Sequence, residues 1–280
     1  VPHPDAPQGI ATPFVHAALP AFGLIVVGDE LLSGRRSDRH IPKMIELLTQ
    51  RGLALSYVHM LGDDRPRLVR LLQQVLASGD VVMCCGGIGA TPDDHTRQAA
   101  AAAAGVELVM HPVARNLIEQ RMQEQAQQKG QAFDPRHPDN VQRLQMAMLP
   151  AHAHIIPNPY NRIAGFSVGH VHFFPGFPVM AHPMIAWVLD HFYARWQNMR
   201  DWSEQALIVK NASEATLTPL MESLETRWPA IRIFSLPSVD HPVHGAHIEL
   251  GVKGPAQMAR DAFDALRQEL LNGQIPFSTA

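Results

Sequence analysis

Residues 81–96 read VVMCCGGIGATPDDHT, and an alanine-rich run continues to Ala104. Five apolar residues, Val81 to Cys85, bounded by glycine read as a buried strand. Gly86, Gly87 and Gly89 make the next stretch a loop whose backbone N–H groups can approach an anion, because no Cβ stands in the way. The loop leads into a helix expected over 96–104 and stopped by Gly105, and a helix N-terminus favours negative charge. Asp93 and Asp94 fall at that same place. An Asp there can cap the helix, but one carboxylate suffices and two neighbours cannot both do it. The pair also suits a divalent cation that bridges carboxylates to a phosphate.

Upstream the rhythm is that of an α/β fold. Phe22 to Val27 (FGLIVV) is a second buried strand, followed at once by Gly28, Asp29 and Glu30. Carboxylates after a buried parallel strand sit where open α/β sheets bind ligands. Arg35, Arg36 and Arg39 come next, either a phosphate clamp or a solvated helix face. The apolar spacing over 41–52 is helical, 53–61 reads as a strand, and 65–77 reads as a helix with Pro66 in its first turn and an Asp of Gly62-Asp63-Asp64 as its cap. Strand and helix alternate three times, which predicts a doubly wound, mostly parallel sheet. Asp29 and Glu30 then lie across a crevice from Asp93 and Asp94.

Downstream, a strand is expected over 108–111, a Gln-rich helix over 112–130, a helix over 140–148, strands over 154–156 and 168–174, and a helix over 180–196. The stretch 197–204 reads as a linker. A βαββα pattern follows, with strands over 205–210, 231–236 and 247–252 and helices over 213–228 and 255–271. The predicted organisation is an irregular proline-rich arm (1–20), an α/β domain (21–197) and a small α+β domain (205–280).

The totals agree with a globular protein. Its 280 residues are 46% hydrophobic and 18% charged, with mean hydropathy -0.07 and net charge -3. That charge draws the chain to neither nucleic acid nor acidic membrane. No apolar run approaches spanning length, and the first twenty residues hold no Lys or Arg of a secretory signal. Cys84 and Cys85 are neighbours in a strand, point to opposite faces and do not pair, in keeping with a reducing cytoplasm.

GGIGATPDDHT resembles the GG(L/I)GPTxDDxT signature of the competence/damage-inducible protein A family, and GDELLSG resembles that family's GxELLxG. Gly62-Asp63-Asp64 is similar to its VGDD, and Phe174-Pro-Gly-Phe-Pro178 resembles its LPGVP. The resemblance implies a molybdopterin-binding (MoaB/Mog-type) domain, also found in eukaryotic FAD synthases, with a small α+β domain after it. It implies metal-dependent hydrolysis of a nucleotide pyrophosphate such as ADP-ribose or FAD. Asp93, Asp94 and Glu30 would be catalytic, and Asp93, Asp94 and Asp29 would hold the metal. Gly86, Gly87, Gly89, Thr91, Arg35, Arg36 and Gly176 would bind phosphate. Mg²⁺, Mn²⁺ or Co²⁺, with potassium, would serve the reaction, and the chain would form a homo-oligomer. A non-catalytic molybdopterin- or nucleotide-binding module, or adenylyl transfer to molybdopterin, are the alternatives. The family proline is Ala90 here, its asparagine His40, the glycine of its NPxGxAPGF Asn161, and the glutamate after LPGVP Met180.

Histidines offer two further metal candidates. His170 and His172 share one strand face, and His241, His244 and His247 crowd one short segment. Neither set has a standard ligand spacing, so packing and a polar loop are the expected roles.

Overall fold

The computed structural model describes residues 19–199 and 201–279. They fall into two compact units, up to Gln197 and from Asn198. Nearly all of the arm expected at residues 1–20 lies outside the described residues.

The first unit is built on a six-stranded sheet. Its elements in chain order are β1 (Phe22–Val27), α1 (Asp29–Leu32), α2 (His40–Thr49), β2 (Leu55–Leu61), α3 (Arg65–Ser78), β3 (Val81–Cys85) and α4 (Thr96–Ala104). Then come β4 (Leu108–Met110), α5 (Pro112–Gln128), α6 (Pro138–Leu144), β5 (Met148–Pro150), β6 (His154–Ile156), β7 (Gly165–Val168), β8 (Val171–Phe174) and α7 (Pro178–Phe192). The sheet order is β2-β1-β3-β8-β7-β6, and its first four strands are mutually parallel. β7 and β6 continue it antiparallel, while β4 and β5 pair separately. The chain leaves β1 toward β2 and leaves β3 toward β8, so the winding reverses between β1 and β3.

Local chemistry explains the boundaries. Asp64 caps α3 by accepting from the Arg67 amide at 3.0 Å, Pro66 stands in the first turn, and Gly79 ends the helix in the left-handed region. Every residue of β1 and of β3 is buried, because helices cover both faces of the parallel strands. Leu24, Val26, Met83 and Cys85 pack with α2 and α7, whereas Ile25, Val27, Val82 and Cys84 pack with α3, α4 and α5. The two cysteines are free, buried and on opposite faces, as the strand period requires.

One downstream strand expectation is corrected. The single strand expected over 168–174 is the hairpin β7–β8, turning at Gly169-His170. The turn thus removes His170 from the strand face of His172. His170 Nε2 meets the Val75 carbonyl at 3.2 Å, and His172 is held elsewhere, so they form no ligand pair. At 158–166 the residue with positive φ is Arg162, and the Asn161 side chain closes the turn by accepting from the Ile163 amide at 3.0 Å.

Arg97 ties the first unit together locally. It is 4% exposed at the start of α4, and its guanidinium donates to the carbonyls of Gly89 (2.6 Å), Met148 (3.3 Å) and Gln145. His172 forms a second buried knot, with Nδ1 at 2.7 Å from Ser167 Oγ and Nε2 at 2.6 Å from the Tyr193 hydroxyl. Burial pushes the His172 ring down to about 3.

The second unit comprises β9 (Trp202–Val209), α8 (Glu214–Arg227), β10 (Arg232–His241), β11 (Gly245–Pro255), α9 (Ala256–Asn272) and β12 (Phe277–Thr279). Its antiparallel order is β10-β11-β9-β12, with Leu207, Val209, Leu250 and Val252 packed against Leu217, Leu224, Leu266 and Leu270 of the two helices. β9 begins inside the stretch expected as linker, and β12 adds a strand to the expected βαββα. Ser213 caps α8 through the Thr216 amide at 3.2 Å. His241, His244 and His247 cluster at the β10–β11 turn, with ring centroids 5.0–5.5 Å apart. His241 Nδ1 accepts the amides of Val243 and His244, and His247 Nδ1 meets the Gly245 carbonyl, so the rings hold the turn. Among the described residues no helix is long and apolar enough to cross a membrane.

Two predictions follow from the knots. His172 stays neutral in the fold but takes a proton near 6.5 when unfolded. It therefore contributes nothing to the pH dependence above that value, and as pH falls below it costs up to about 1.4 kcal/mol of stability per pH unit. Between pH 7 and pH 5, urea unfolding of His172→Gln should lose about 2 kcal/mol less than the parent chain does. An equal loss in both would remove the ring as a cause. Arg97→Met should lower stability by roughly 2–4 kcal/mol, since it strips three carbonyls of their donor. A loss below about 0.5 kcal/mol in the same assay would show that the guanidinium bonds do not hold the loop.

Candidate functional site

The four parallel strands end side by side. Val27 is paired with Leu61, Val26 with Cys85, and Cys85 with Phe174. The segments that follow, Gly62-Asp63, Gly28-Asp29-Glu30, Gly86-Gly87 and Pro175-Gly176, therefore emerge along one edge. This edge includes the β1/β3 reversal, where open α/β sheets place their ligands.

The glycine loop is shaped by close backbone contact. Gly86 has φ 109, and a Cβ there would strike the Val27 carbonyl oxygen. Gly87 has φ 67 and lies against the Thr96 hydroxyl, which donates to the Gly86 carbonyl at 2.9 Å, while the Thr96 amide donates to the Gly87 carbonyl at 2.9 Å. The Gly86 amide donates to Phe174 at 3.0 Å. Gly86 thus joins β3 to β8 and has no N–H left for a phosphate, which corrects its expected role. Gly176 lies against the Gly86 Cα. Gln142 of α6 donates to the Ala90 carbonyl at 2.6 Å and so fastens the loop from the other side.

Asp93 and Asp94 divide their work. Neither caps α4, whose N-cap is His95 without a side-chain bond. Asp94 turns back into the loop, and its Oδ2 accepts the Thr91 amide at 2.9 Å and the Thr91 hydroxyl at 2.5 Å. Thr91 is thereby a loop-closing residue. Asp93 is exposed, and the neighbouring Thr91 hydroxyl keeps its carboxyl below the usual range.

The other carboxylates meet through a reciprocal clasp. The Asp29 amide donates to Asp63 Oδ2 at 3.0 Å, and the Asp63 amide donates to Asp29 Oδ1 at 3.2 Å. Burial raises the Asp63 carboxyl, and the charges of Asp29, Asp93 and Glu30 raise it further. Asp29, Glu30, Asp63 and Asp93 thus share one neighbourhood. Among the described residues none of the four is in an ion pair with Lys, Arg or His. Nor, among those residues, does any group of three or more His, Cys, Asp or Glu stand ready to hold a metal by itself. A magnesium-type cation needs less, since one or two carboxylates hold it while substrate phosphates and waters complete its shell. The loops fit that donor set.

A cavity of about 340 Å³ opens at the same strand ends. Val26, Val27, Leu31, Cys85 and Pro178 form its apolar wall, and Glu30, Arg36, Ser37, Arg39, His40 and Gly176 its polar one. Arg36 lines it and Arg35 does not, while Arg39, named only in the arginine run, does. Asp63, Arg97 and His40 are the site residues that sequence reasoning passed over or gave no role. Asp63 had a signal, since two acids follow Gly62 and one suffices for a cap.

A family model described as a probable molybdopterin binding domain matches residues 23–194. A protein of Pyrobaculum calidifontis is 26% identical over 260 residues, 90% of this chain and 95% of that one. A CinA-like protein of Citrifermentans bemidjiense is 31% identical over 204 residues, 71% of this chain and 46% of its own length. One from Anaeromyxobacter dehalogenans is 27% identical over 82% of this chain and 58% of its own. The chain thus spans about half the length of these CinA-like relatives. The crystal structure of the protein CinA from Thermoplasma acidophilum, its function unknown, matches with TM-score 0.52 at 25% identity, over 61% of this chain and 98% of that one. The chain belongs to the family of probable molybdopterin-binding domains, and within it to the CinA-like proteins.

Proposed function

We propose that the chain is a metal-dependent hydrolase of a nucleotide pyrophosphate, with ADP-ribose and FAD as model substrates. The observation that carries this reading is the set of four carboxylates, Asp29, Glu30, Asp63 and Asp93, gathered without a cationic partner beside a glycine loop. Carboxylates set together outside any ion pair favour a divalent cation and, through it, a diphosphate. Asp93 and Asp29 would hold Mg²⁺, Mn²⁺ or Co²⁺, and the bound cation would neutralise the diphosphate and acidify a water. Glu30 stands at the cavity wall, where it can orient that water and accept its proton. The water oxygen adds to one phosphorus, the bridging P–O bond breaks, and its electron pair leaves on the second phosphate. Arg36 and Arg39 answer the charge that develops there. The Gly87 and Gly89 backbone would meet this phosphate, while Asp94 and Thr91 keep the loop in shape.

A second reading, a pterin- or nucleotide-binding module without turnover, is favoured by one contact. Asn161 Nδ2 reaches Met180 Sδ at 3.3 Å, so two of the four departures from the family pattern meet at the first turn of α7 and leave no carboxylate there.

The test is AMP release from ADP-ribose and from FAD, with each cation and with potassium. Metal-dependent release is expected from the parent chain. Asp93→Asn should abolish it, at least about 100-fold, with stability within about 0.5 kcal/mol, because the side chain is exposed. Asp94→Ala should lower activity and stability together, by roughly 1–2 kcal/mol in the latter, because it opens the Thr91 turn. Absence of release from folded parent protein with every cation would replace the hydrolase by the binding module.

A further inference from the structure

β2 forms one edge of the six-stranded sheet, and its sequence, LSYVHML, holds no Pro, Lys, Arg, Asp or Glu. The opposite edge, β6, is only three residues long. A free edge strand presents a row of unpaired N–H and C=O groups, and proteins that stay single blunt it with brevity, charge, proline or a bulge. β2 has one such device, at its start, where the register with β1 skips Ser56. From Tyr57 to Leu61 the pairing is regular.

One bond fixes which groups of that stretch face outward. The Leu61 carbonyl accepts the Gly28 amide at 2.9 Å, so the Leu61 backbone faces β1. Alternation along the strand turns Tyr57 and His59 the same way, and it leaves the N–H and C=O groups of Val58 and Met60 pointing out of the sheet. Among the described residues β2 pairs with β1 alone, and no hydrogen bond outside the ladders reaches the Val58 or Met60 backbone. The side chains here are apolar and partly open. Met60 is 40% exposed, Val58 is half-buried, and the exposed Leu32 lies beside Gly62 at the end of the strand. On the other face the Tyr57 and His59 rings stand 5.3 Å apart.

The geometry points to the β2 edge as the interface with a second copy of this chain, whose β2 runs antiparallel to it about a twofold axis at His59. A twofold contact needs a patch complementary to itself. Val58 and Met60, the two outward residues, stand on either side of His59. The axis therefore sets Val58 opposite the partner's Met60, and Met60 opposite the partner's Val58, each pair exchanging both its N–H···O bonds. Tyr57 falls opposite the partner's Leu61, an aromatic–aliphatic pair of the kind that stabilises antiparallel strands. The absence of charge selects the same occupant. A strand made for a charged partner would carry the opposite sign, whereas a neutral strand meets its own copy without repulsion. The pairing joins the two sheets into one and stops at the Ser56 bulge. It does not depend on the proposed function.

The experiment is sedimentation velocity of the full chain over a range of concentrations, with two variants. The parent chain should dimerise. Met60→Lys, a charge of the kind that guards edge strands, should raise the dimer Kd at least about tenfold. Its circular dichroism should match the parent, because the side chain is exposed. His59→Cys should form a disulfide-linked dimer on mild oxidation. The two His59 positions make a non-hydrogen-bonded pair with Cα atoms about 4.5 Å apart, within the roughly 4.4–6.8 Å that disulfides span. Cys84 and Cys85 are buried and do not compete. Met60→Cys should not cross-link, because the two Met60 positions lie off the axis in opposite directions. Hydrogen exchange reads the same interface without substitution: the Val58 and Met60 amides should exchange more slowly as concentration rises. A parent chain that stays monomeric, a dimer indifferent to Met60→Lys, or a folded His59→Cys chain that does not cross-link would each overturn the inference. So would protection of those two amides that is equal at every concentration, which would assign the edge to another segment of the same chain.

Discussion

The structure hangs on the approach of three backbones at Gly86. Its amide joins β3 to β8 through Phe174, its Cα faces Gly176, and the Val27 carbonyl of β1 fills the place of a side chain. Any Cβ there would push β1 and β3 apart at their C-terminal ends, where every group of the candidate site is mounted. The Thr96 hydroxyl and amide then fix how α4 leaves the loop. Because these strands are buried on both faces, a shift at this point is not absorbed by solvent and passes into both cores.

What could be read from the sequence was what is decided locally. The central strand, the loop, α3 and α4 carry their own burial pattern, caps and stopping glycines, so their positions followed from neighbouring residues. The parallel α/β order followed from the alternation of such elements. What escaped was decided by partners far along the chain. Asp63 faces Asp29 across 34 positions, Arg97 reaches carbonyls 48 and 51 positions away, and His40 meets a carbonyl 136 positions away. No periodicity records such pairs. The hairpin at 165–174 was missed for a different reason. Its turn is two residues flanked by apolar runs on both sides, and one strand gives the same pattern.

The neighbouring Asp93 and Asp94 show why residue type alone does not fix a role. Both were read as one functional pair. The backbone reverses between Thr91 and Asp94, with the Asp94 amide on the Thr91 carbonyl at 3.0 Å, and this turns one carboxylate inward and leaves the other outward. Asp94 builds the loop, while Asp93 stays exposed with its charge felt by Asp63. The same division holds at Gly62-Asp63-Asp64, where Asp64 caps α3 and Asp63 clasps Asp29.

The departures from the family pattern are not scattered. Asn161 and Met180 touch each other, and the Asn161 amide also binds Asn158 at 2.8 Å, so a thioether and an amide close a corner where the family has a glycine and a glutamate. The exchange removes one negative charge from the start of α7, where a helix N-terminus would have favoured it. His40 lies opposite, on the carbonyl of Gly176 two residues before α7 begins. These exchanges put a thioether at the start of α7 and a neutral ring on the Gly176 carbonyl. They leave the Asp29, Glu30, Asp63 and Asp93 neighbourhood in place. The proposed cation site and these departures thus rest on different residues, and the second set can change without dismantling the first.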